Sequence, residues 1–246
     1  AAKLKEVELL FWVGCAGAFD ERGQQVTRAM AQVLEAAEVE FAILGNEERC
    51  TGDPARRIGN EYLFQLLAQE NIATLNRYRV KKILTTCPHC FNTMKNEYGQ
   101  FGGEFDVVHH SQFIAHLLRE GHLGLRKRFS GTVAFHDPCY LGRHNGIYDD
   151  PRSVIGHIGG LKQVEMPRCR EKGFCCGAGG GLMWIEERIG KRMNLERTDE
   201  LLQTGAAVVA TACPFCLTMM TAGITVRGKN LAVKALDLAE LVVRAL

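Results

Sequence analysis

Several features are missing from this 246-residue sequence, and each absence removes a class of function. No apolar run approaches the ~18–20 residues that a membrane-spanning helix needs, so no stretch reads as a transmembrane segment. The start, Ala1-Ala2-Lys3-Leu4-Lys5-Glu6, lacks a secretory signal pattern. It also lacks an initiator methionine, which predicts a chain that is trimmed or cut from something longer. No excess of one charge is present: 30 basic and 28 acidic side chains leave a net charge of +2. That balance gives no electrostatic footprint for nucleic acid or an acidic surface. No low-complexity linker interrupts the chain. A nucleotide motif is missing too. Gly177-Ala178-Gly179-Gly180-Gly181 is not followed by the Lys-Ser/Thr of a P-loop. As a dinucleotide fingerprint it also fails, because Leu182 occupies the third glycine position and no strand precedes it.

What is present is ordinary except for cysteine. Hydrophobic content is 46% and charged content 24%, as in a soluble globular protein. The length suits one large domain or two of about 120 residues. The ten cysteines fall into two copies of one pattern. The first copy is Cys15, Cys50 and Cys87-Pro88-His89-Cys90; the second is Cys139, Cys175-Cys176-Gly177 and Cys213-Pro214-Phe215-Cys216. Cys15 to Cys50 is 35 positions and Cys139 to Cys175 is 36; Cys50 to Cys87 is 37 and Cys175 to Cys213 is 38. Only Cys169 stands outside, as an expected free thiol. A five-disulfide framework is the weaker reading, since such frameworks belong mainly to small secreted chains. Two Cys-x-x-Cys pairs and an adjacent Cys-Cys read better as thiolate ligands, the soft donors suited to zinc and iron–sulfur clusters.

Short apolar runs alternate with amphipathic segments. Candidate strands span 7–13, 39–44, 82–86 and 105–108, then 132–135, 162–165, 208–211 and 233–236. Helix-like segments span 27–37, 59–76, 110–120, 182–203 and 237–245. The expected fold is α/β, with two pseudo-symmetric repeats, each a small, largely parallel sheet flanked by helices. The offset between copies drifts from 124 at Cys15/Cys139 through 125 at Cys50/Cys175 to 126 at Cys87/Cys213, as small loop insertions would give. Repeats over 1–124 and 125–246 follow, with the boundary near 121–129.

Cys15, Cys87, Cys139 and Cys213 each follow a candidate strand. Ligand sites in parallel sheets collect at carboxyl ends of strands, so four or five thiolates of each half should meet there. Pro88 and Pro214 suit a first helical turn, which aims a helix N-terminus at the site. A thioredoxin-type dithiol is the alternative for each Cys-Pro-x-Cys, but it leaves the other cysteines unexplained. The glycine run suits close backbone approach to a bulky inorganic core, or else a flexible turn. The copies differ at one position: Thr51 stands where the second repeat has Cys176. The first set therefore offers four thiolates, enough for a 4Fe–4S cubane or a structural zinc, and the second offers five.

Across nearly its whole length the chain resembles the tandem cysteine-rich CCG domain of heterodisulfide reductase B/D-type subunits and related iron–sulfur oxidoreductases. Cys175-Cys176-Gly177-Ala178-Gly179-Gly180-Gly181, Met183-Trp184-Ile185-Glu186-Glu187, Ala212-Cys213-Pro214-Phe215-Cys216 and His136-Asp137-Pro138-Cys139-Tyr140-Leu141-Gly142-Arg143 carry the resemblance. They are most similar to the branch linked to electron-transfer flavoprotein and menaquinone reduction. The resemblance implies a non-cubane 4Fe–4S cluster on Cys139, Cys175, Cys176, Cys213 and Cys216. It implies a second centre on Cys15, Cys50, Cys87 and Cys90, where Thr51 favours an ordinary 4Fe–4S cluster, with zinc as the alternative. The implied function is an iron–sulfur electron-transfer subunit or domain, taking electrons from a reduced flavoprotein toward a quinone. The implied partners are that flavoprotein and other iron–sulfur or membrane subunits. The implied location is cytoplasmic, or peripheral on the cytoplasmic face of the membrane through partners. The competing functions are a heterodisulfide or thiol reductase and a scaffold with structural zinc.

Among the remaining polar residues, His136 is the candidate for tuning a cluster or moving a proton, or for strand-end hydrogen bonding. His109-His110 marks a strand end and helix start. His89 pairs with Phe215 in the second copy, so catalysis is not expected to need it. Arg143, Arg188 and Arg192 are candidates for neutralising cluster charge or for facing solvent. Trp184 reads as a packing residue on an amphipathic helix.

Overall fold

The structure, a computed structural model, describes residues 8–185 and 189–246. The first half runs β1 (Leu9–Trp12), α1 (Gly14–Phe19), α2 (Glu21–Ala36), α3 (Asp53–Arg57), α4 (Glu61–Arg77), β2 (Lys82–Thr85), α5 (Pro88–Asn92), β3 (Asp106–His109) and α6 (His110–Arg119). The second half runs β4 (Gly131–Phe135), α7 (Asp149–His157), β5 (Leu161–Val164), α8 (Met193–Gln203), β6 (Val208–Thr211), α9 (Pro214–Val226), β7 (Lys234–Asp237) and α10 (Leu238–Ala245).

Two sheets result, ordered β1-β2-β3 and β5-β4-β6-β7, and every pairing is parallel. Strands of such sheets that are covered on both faces read as continuous apolar runs. Leu-Leu-Phe-Trp of β1 obeys this, with all four residues buried. The two halves share register as well as order. Phe11 pairs with Leu84, and Phe135 pairs with Ala210. The last helix of each half starts at a capping box, His109 with Gln112 on α6 and Asp237 with Glu240 on α10.

Two sequence expectations need correction. The strand expected at 39–44 is a single parallel bridge between Ala42 and Leu10, held by Phe11 N–H on Ala42 O at 2.8 Å and Ala42 N–H on Leu9 O at 3.1 Å. The chain turns away directly afterwards at Gly45–Glu47, because Glu48 is drawn back to the end of β1. The bridge occupies the place that β5 holds beside β4. The helix expected over 182–203 is also not continuous. A short turn covers Leu182–Trp184, Ile185 is extended, and α8 begins only at Met193; residues 186–188 of that expectation lie outside the described residues. Gly190 takes φ +72°, a left-handed conformation that breaks a helix. Apart from α5 and α9, which Pro88 and Pro214 announce, helices α1, α3 and α7 lie outside the expected helix-like segments.

The largest apolar cluster draws on both halves. Phe11, Met30, Leu34, Phe113 and Leu117 pack with Val133, Phe135, Val154, Leu241 and Val242. Helix α10 lies on α2 and α7, and α6 lies on α7. Polar ties cross the same seam: Arg22 grips both carboxylate oxygens of Glu240 at 2.6 and 2.5 Å, and His110 Nε2 meets Asp237 Oδ1 at 3.0 Å in full burial. Among the described residues, no helix is long and apolar enough to cross a membrane.

Candidate metal centres

The first site forms where β1 and β2 end. Cys15 sits in α1, one residue after Gly14, whose φ of +75° brings its backbone close to Cys90; a Cβ there would lie 3.6 Å from the Cys90 sulfur. Glu48 clamps this turn, accepting from Val13 N–H at 3.0 Å and Gly14 N–H at 2.6 Å. Burial raises its pKa to about 7 despite those bonds. Cys87 caps α5 and Cys90 lies within it. With Cys50, these thiols line a pocket that also takes in Thr51, His89 and Phe215. Cys87 and Cys90 are buried, whereas Cys15 and Cys50 are half-buried. The Cys15 contact and the Gly52 amide pull the Cys50 thiol down to about 7, against its burial. Thr51 does not leave its position empty. Its hydroxyl lies 3.7 Å from the Cys90 sulfur and donates to it.

The second site forms where β4 and β6 end. Cys176, Cys213 and Cys216 are buried, and Cys139 and Cys175 are half-buried. Their thiols are linked in a chain of contacts, Cys139 to Cys175 to Cys176 to Cys216 to Cys213. Hydrogen bonds from Cys139 and Cys176 drive the Cys175 thiol down to about 2, and the Gly177 N–H adds another at 3.3 Å. His136 joins the set: one ligand atom each from His136, Cys176 and Cys216 lie within 4.8 Å of one another. Its ring is fully buried, its Nδ1 accepts from Arg197 Nε at 3.0 Å, and its Nε2 has no partner among the described residues. Burial first, and the Arg197 charge second, lower its pKa to about 3, so the ring is neutral. Asp137 beside it is locked by Arg152 at 2.8 and 3.0 Å and by the Arg170 N–H at 2.8 Å.

His89 joins the two sites. Its Nδ1 meets Asp53 Oδ2 at 2.8 Å, and its ring hydrogen-bonds Cys213 of the other half. Those two bonds outweigh burial and raise its pKa to about 10, while His89 and Cys216 together lower Cys213 to about 5 against its burial. Tyr140 stacks on the His89 ring at 4.1 Å, and Phe215 meets it edge-on at 5.3 Å. Thus the residue that sequence pairing dismissed lies between the two thiol sets. The stretch Ala178 to Gly181 passes over this junction, and with Asp53, Arg57, His89 and Trp184 it walls a cleft.

The fold therefore gathers Cys15, Cys50, Cys87 and Cys90 into one group and Cys139, Cys175, Cys176, Cys213 and Cys216 into the other. None is in a disulfide. Cys169 lies outside both, its thiol pushed up by burial. Arg143 donates to Gly173 O at 2.6 Å, Arg192 precedes α8, and Arg188 lies outside the described residues. Trp184 is 67% exposed in a short turn, so it is not a helix packing residue. His109 ends β3 and His110 opens α6, as anticipated. Asp53, Glu48 and Arg197 were not foreseen; no motif marks them. Soft thiolates in sets of four and five, with an unpartnered buried imidazole N beside the second, fit iron–sulfur ligation.

Comparison with known proteins agrees. The CCG cysteine-rich domain family matches residues 9–95 and 133–221. The chain is 47% identical over 241 residues to the probable iron-sulfur-binding oxidoreductase FadF of Bacillus subtilis, covering 98% of this chain and 34% of that protein. It is 45% identical over 249 residues to the EtfAB:quinone oxidoreductase of Syntrophomonas wolfei, covering 98% of this chain and 35% of that one. A dihydromethanophenazine:CoB–CoM heterodisulfide reductase subunit of Methanosarcina barkeri is 33% identical over 247 residues, with 98% of this chain and 59% of that protein covered. The chain spans about a third of the length of the first two relatives. With one match on each half, the protein belongs to the CCG cysteine-rich domain family, as a tandem pair of such domains.

Proposed function

We propose that this domain relays electrons from a reduced flavoprotein of the electron-transfer flavoprotein type, through two metal centres, toward a quinone. A non-cubane 4Fe–4S cluster on Cys139, Cys175, Cys176, Cys213 and Cys216 and a 4Fe–4S cluster on Cys15, Cys50, Cys87 and Cys90 would supply reversible electron storage, with zinc as the alternative in the first set. Other iron–sulfur or membrane subunits, or further domains, would complete the path, with the domain on the cytoplasmic side. The carrying observation is His89, whose ring contacts Asp53 beside the first thiol set and Cys213 within the second. A buried side chain shared by the two thiol sets supports exchange between the centres they would hold. The chain's own work is to hold the sulfurs and to donate hydrogen bonds to them, from Thr51, Gly177 and His89, which tunes reduction potential.

The test is metal and acid-labile sulfide analysis of the anaerobically purified chain, followed by reduction with a reduced electron-transfer flavoprotein and reoxidation by a menaquinone analogue. Roughly eight irons with matching sulfide are expected, four per cluster. Clusters that never change redox state with that donor would sink the relay. A second reading, heterodisulfide or thiol reduction, has one observation in its favour: the cleft between the glycine run and Asp53, Arg57 and His89. Turnover of a disulfide with a reduced dye would select it.

A further inference from the structure

Arg197 is fully buried on α8 and its guanidinium is held from two sides. Nη1 donates to Arg168 O at 2.7 Å and to Glu200 Oε2 at 2.6 Å. Its Nε donates to His136 Nδ1 at 3.0 Å. A guanidinium has N–H donors and no acceptor, and it stays protonated. Nδ1 of His136 is therefore the acceptor nitrogen. A neutral imidazole has one N–H, which falls on Nε2. That nitrogen has no partner among the described residues, and His136 lies against the Cys176 and Cys216 thiols. The opposite tautomer would set two N–H groups against each other across the 3.0 Å contact. Metal ligation through Nε2 needs that tautomer, with its lone pair on Nε2 and its proton on Nδ1.

The first repeat repeats the placement with different chemistry. The shared strand register aligns Trp12 with His136, and each lies three residues before the first cysteine of its set, Cys15 or Cys139. Trp12 is fully buried, and its Nε1–H also has no partner among the described residues. An indole N–H only donates. One position thus carries a buried donor in both repeats, and a histidine there needs a second residue to make it donor-only.

We propose that Arg197 is a positioning residue for the second centre: it fixes His136 as the Nε2–H tautomer, making His136 a hydrogen-bond donor to the sulfurs of that centre and not an iron ligand. This rests on the iron–sulfur reading above, which the iron and sulfide content of the wild-type chain tests separately. The distinguishing experiment is electron–nuclear double resonance of the reduced, iron-loaded protein in H₂O and D₂O, with potentials from titrations followed by paramagnetic resonance. Wild type is expected to show, besides the exchangeable protons of the Gly177 N–H and His89, a further exchangeable proton coupled to the second centre, and no strongly coupled nitrogen. H136F should lose that proton and move the second potential more negative, because a donor to sulfur favours the reduced, more negative cluster. H136Q, which keeps a side-chain N–H, should recover part of the shift. R197M should weaken the proton coupling and leave the first centre unchanged. A strongly coupled, iron-bound nitrogen in wild type, or a set of exchangeable couplings in H136F identical to that of wild type, would overturn the proposal. If R197M does not retain iron, the H136F and H136Q pair decides the question alone.

Discussion

Three side chains of the first repeat converge on Asp53: Arg57 Nε at 2.8 Å, His89 Nδ1 at 2.8 Å and Thr93 Oγ1 at 3.4 Å. Burial pushes this carboxyl up, but His89 and then Arg57 outweigh it and hold the pKa below the usual value. Breaking a buried ion pair from one side costs about 3–5 kcal/mol; Arg57 is partly exposed, so about 2–3 kcal/mol is the sensible figure here. Asp53→Asn should therefore lower the thermal midpoint of the loaded protein by roughly 4–12 °C. The sign with pH follows from the depressed pKa. The contribution is complete above the unfolded value of ~3.9 and is lost as pH falls through the lower folded value. His89, raised by the same pair, adds stability that is complete only below its unfolded value of ~6.5, so the gap between wild type and variant should hold or widen slightly from pH 7 to pH 5, as read by parallel thermal scans. Equal midpoints at pH 7 would show that the carboxylate does not hold this junction together. None of this was legible in the sequence, although the thiols were. Cysteine spacing announces itself because the residue type is rare and the pattern occurs twice. Asp53 reaches His89 across 36 positions, Arg197 reaches His136 across 61, and Glu48 reaches Val13 across 35, each as an ordinary residue with no local signal.

At the scale of elements, strands were legible wherever an apolar run ends at a fully covered parallel position, as in β1, β2 and β6. Amphipathic spacing gave α2, α4 and α6 to within a few residues at most ends, though α2 begins six residues earlier than expected. The break before α8 was missed because the helical period continues through Gly190, whose cost is local and small in a periodicity argument. Helix α1 was missed because Gly14-Cys15-Ala16-Gly17-Ala18-Phe19 has no polar face to give a period. Its existence depends on packing against α2 through Gly23. A Cβ at Gly23 would lie 2.1 Å from Ala16 O and 2.8 Å from Ala16 C, backbone atoms that no rotamer change can move aside. Gly23→Ala should thus override the helix-propensity gain of about 1 kcal/mol and destabilise by about 1–3 kcal/mol. Because α1 carries Cys15, the same change should reduce metal at the first centre and spare the second. Metal content and the spectra of the two centres check this; a variant as stable as wild type, with full first-site occupancy, would show that α1 shifts without consequence.

For the whole molecule, the duplication raises the question of whether each repeat is a folding unit. The sequence favours two units, divided between Gly124 and Leu125. The packing argues that they fold together. The main apolar cluster joins Phe11, Met30 and Leu117 to Phe135, Leu241 and Val242, so a cut at that point opens a face on each half that is otherwise buried. Polar ties fall on the same seam. His110 with Asp237 is fully buried, and each would be left facing an apolar surface or water by separation. His89 adds a third tie at the metal sites, since Cys213 would lose its donor. Buried polar groups stripped of partners cost about 1–3 kcal/mol each, and a single domain has only about 5–15 kcal/mol in hand. Residues 8–124 and 125–246 produced separately are therefore expected to show no sharp thermal transition, to bind a hydrophobic dye, and to hold little metal. Produced together, they should reassociate and recover both centres. A separate half with a sharp transition and its full complement of metal would mean that the repeats are autonomous, and that the shared core is a docking surface between two finished domains.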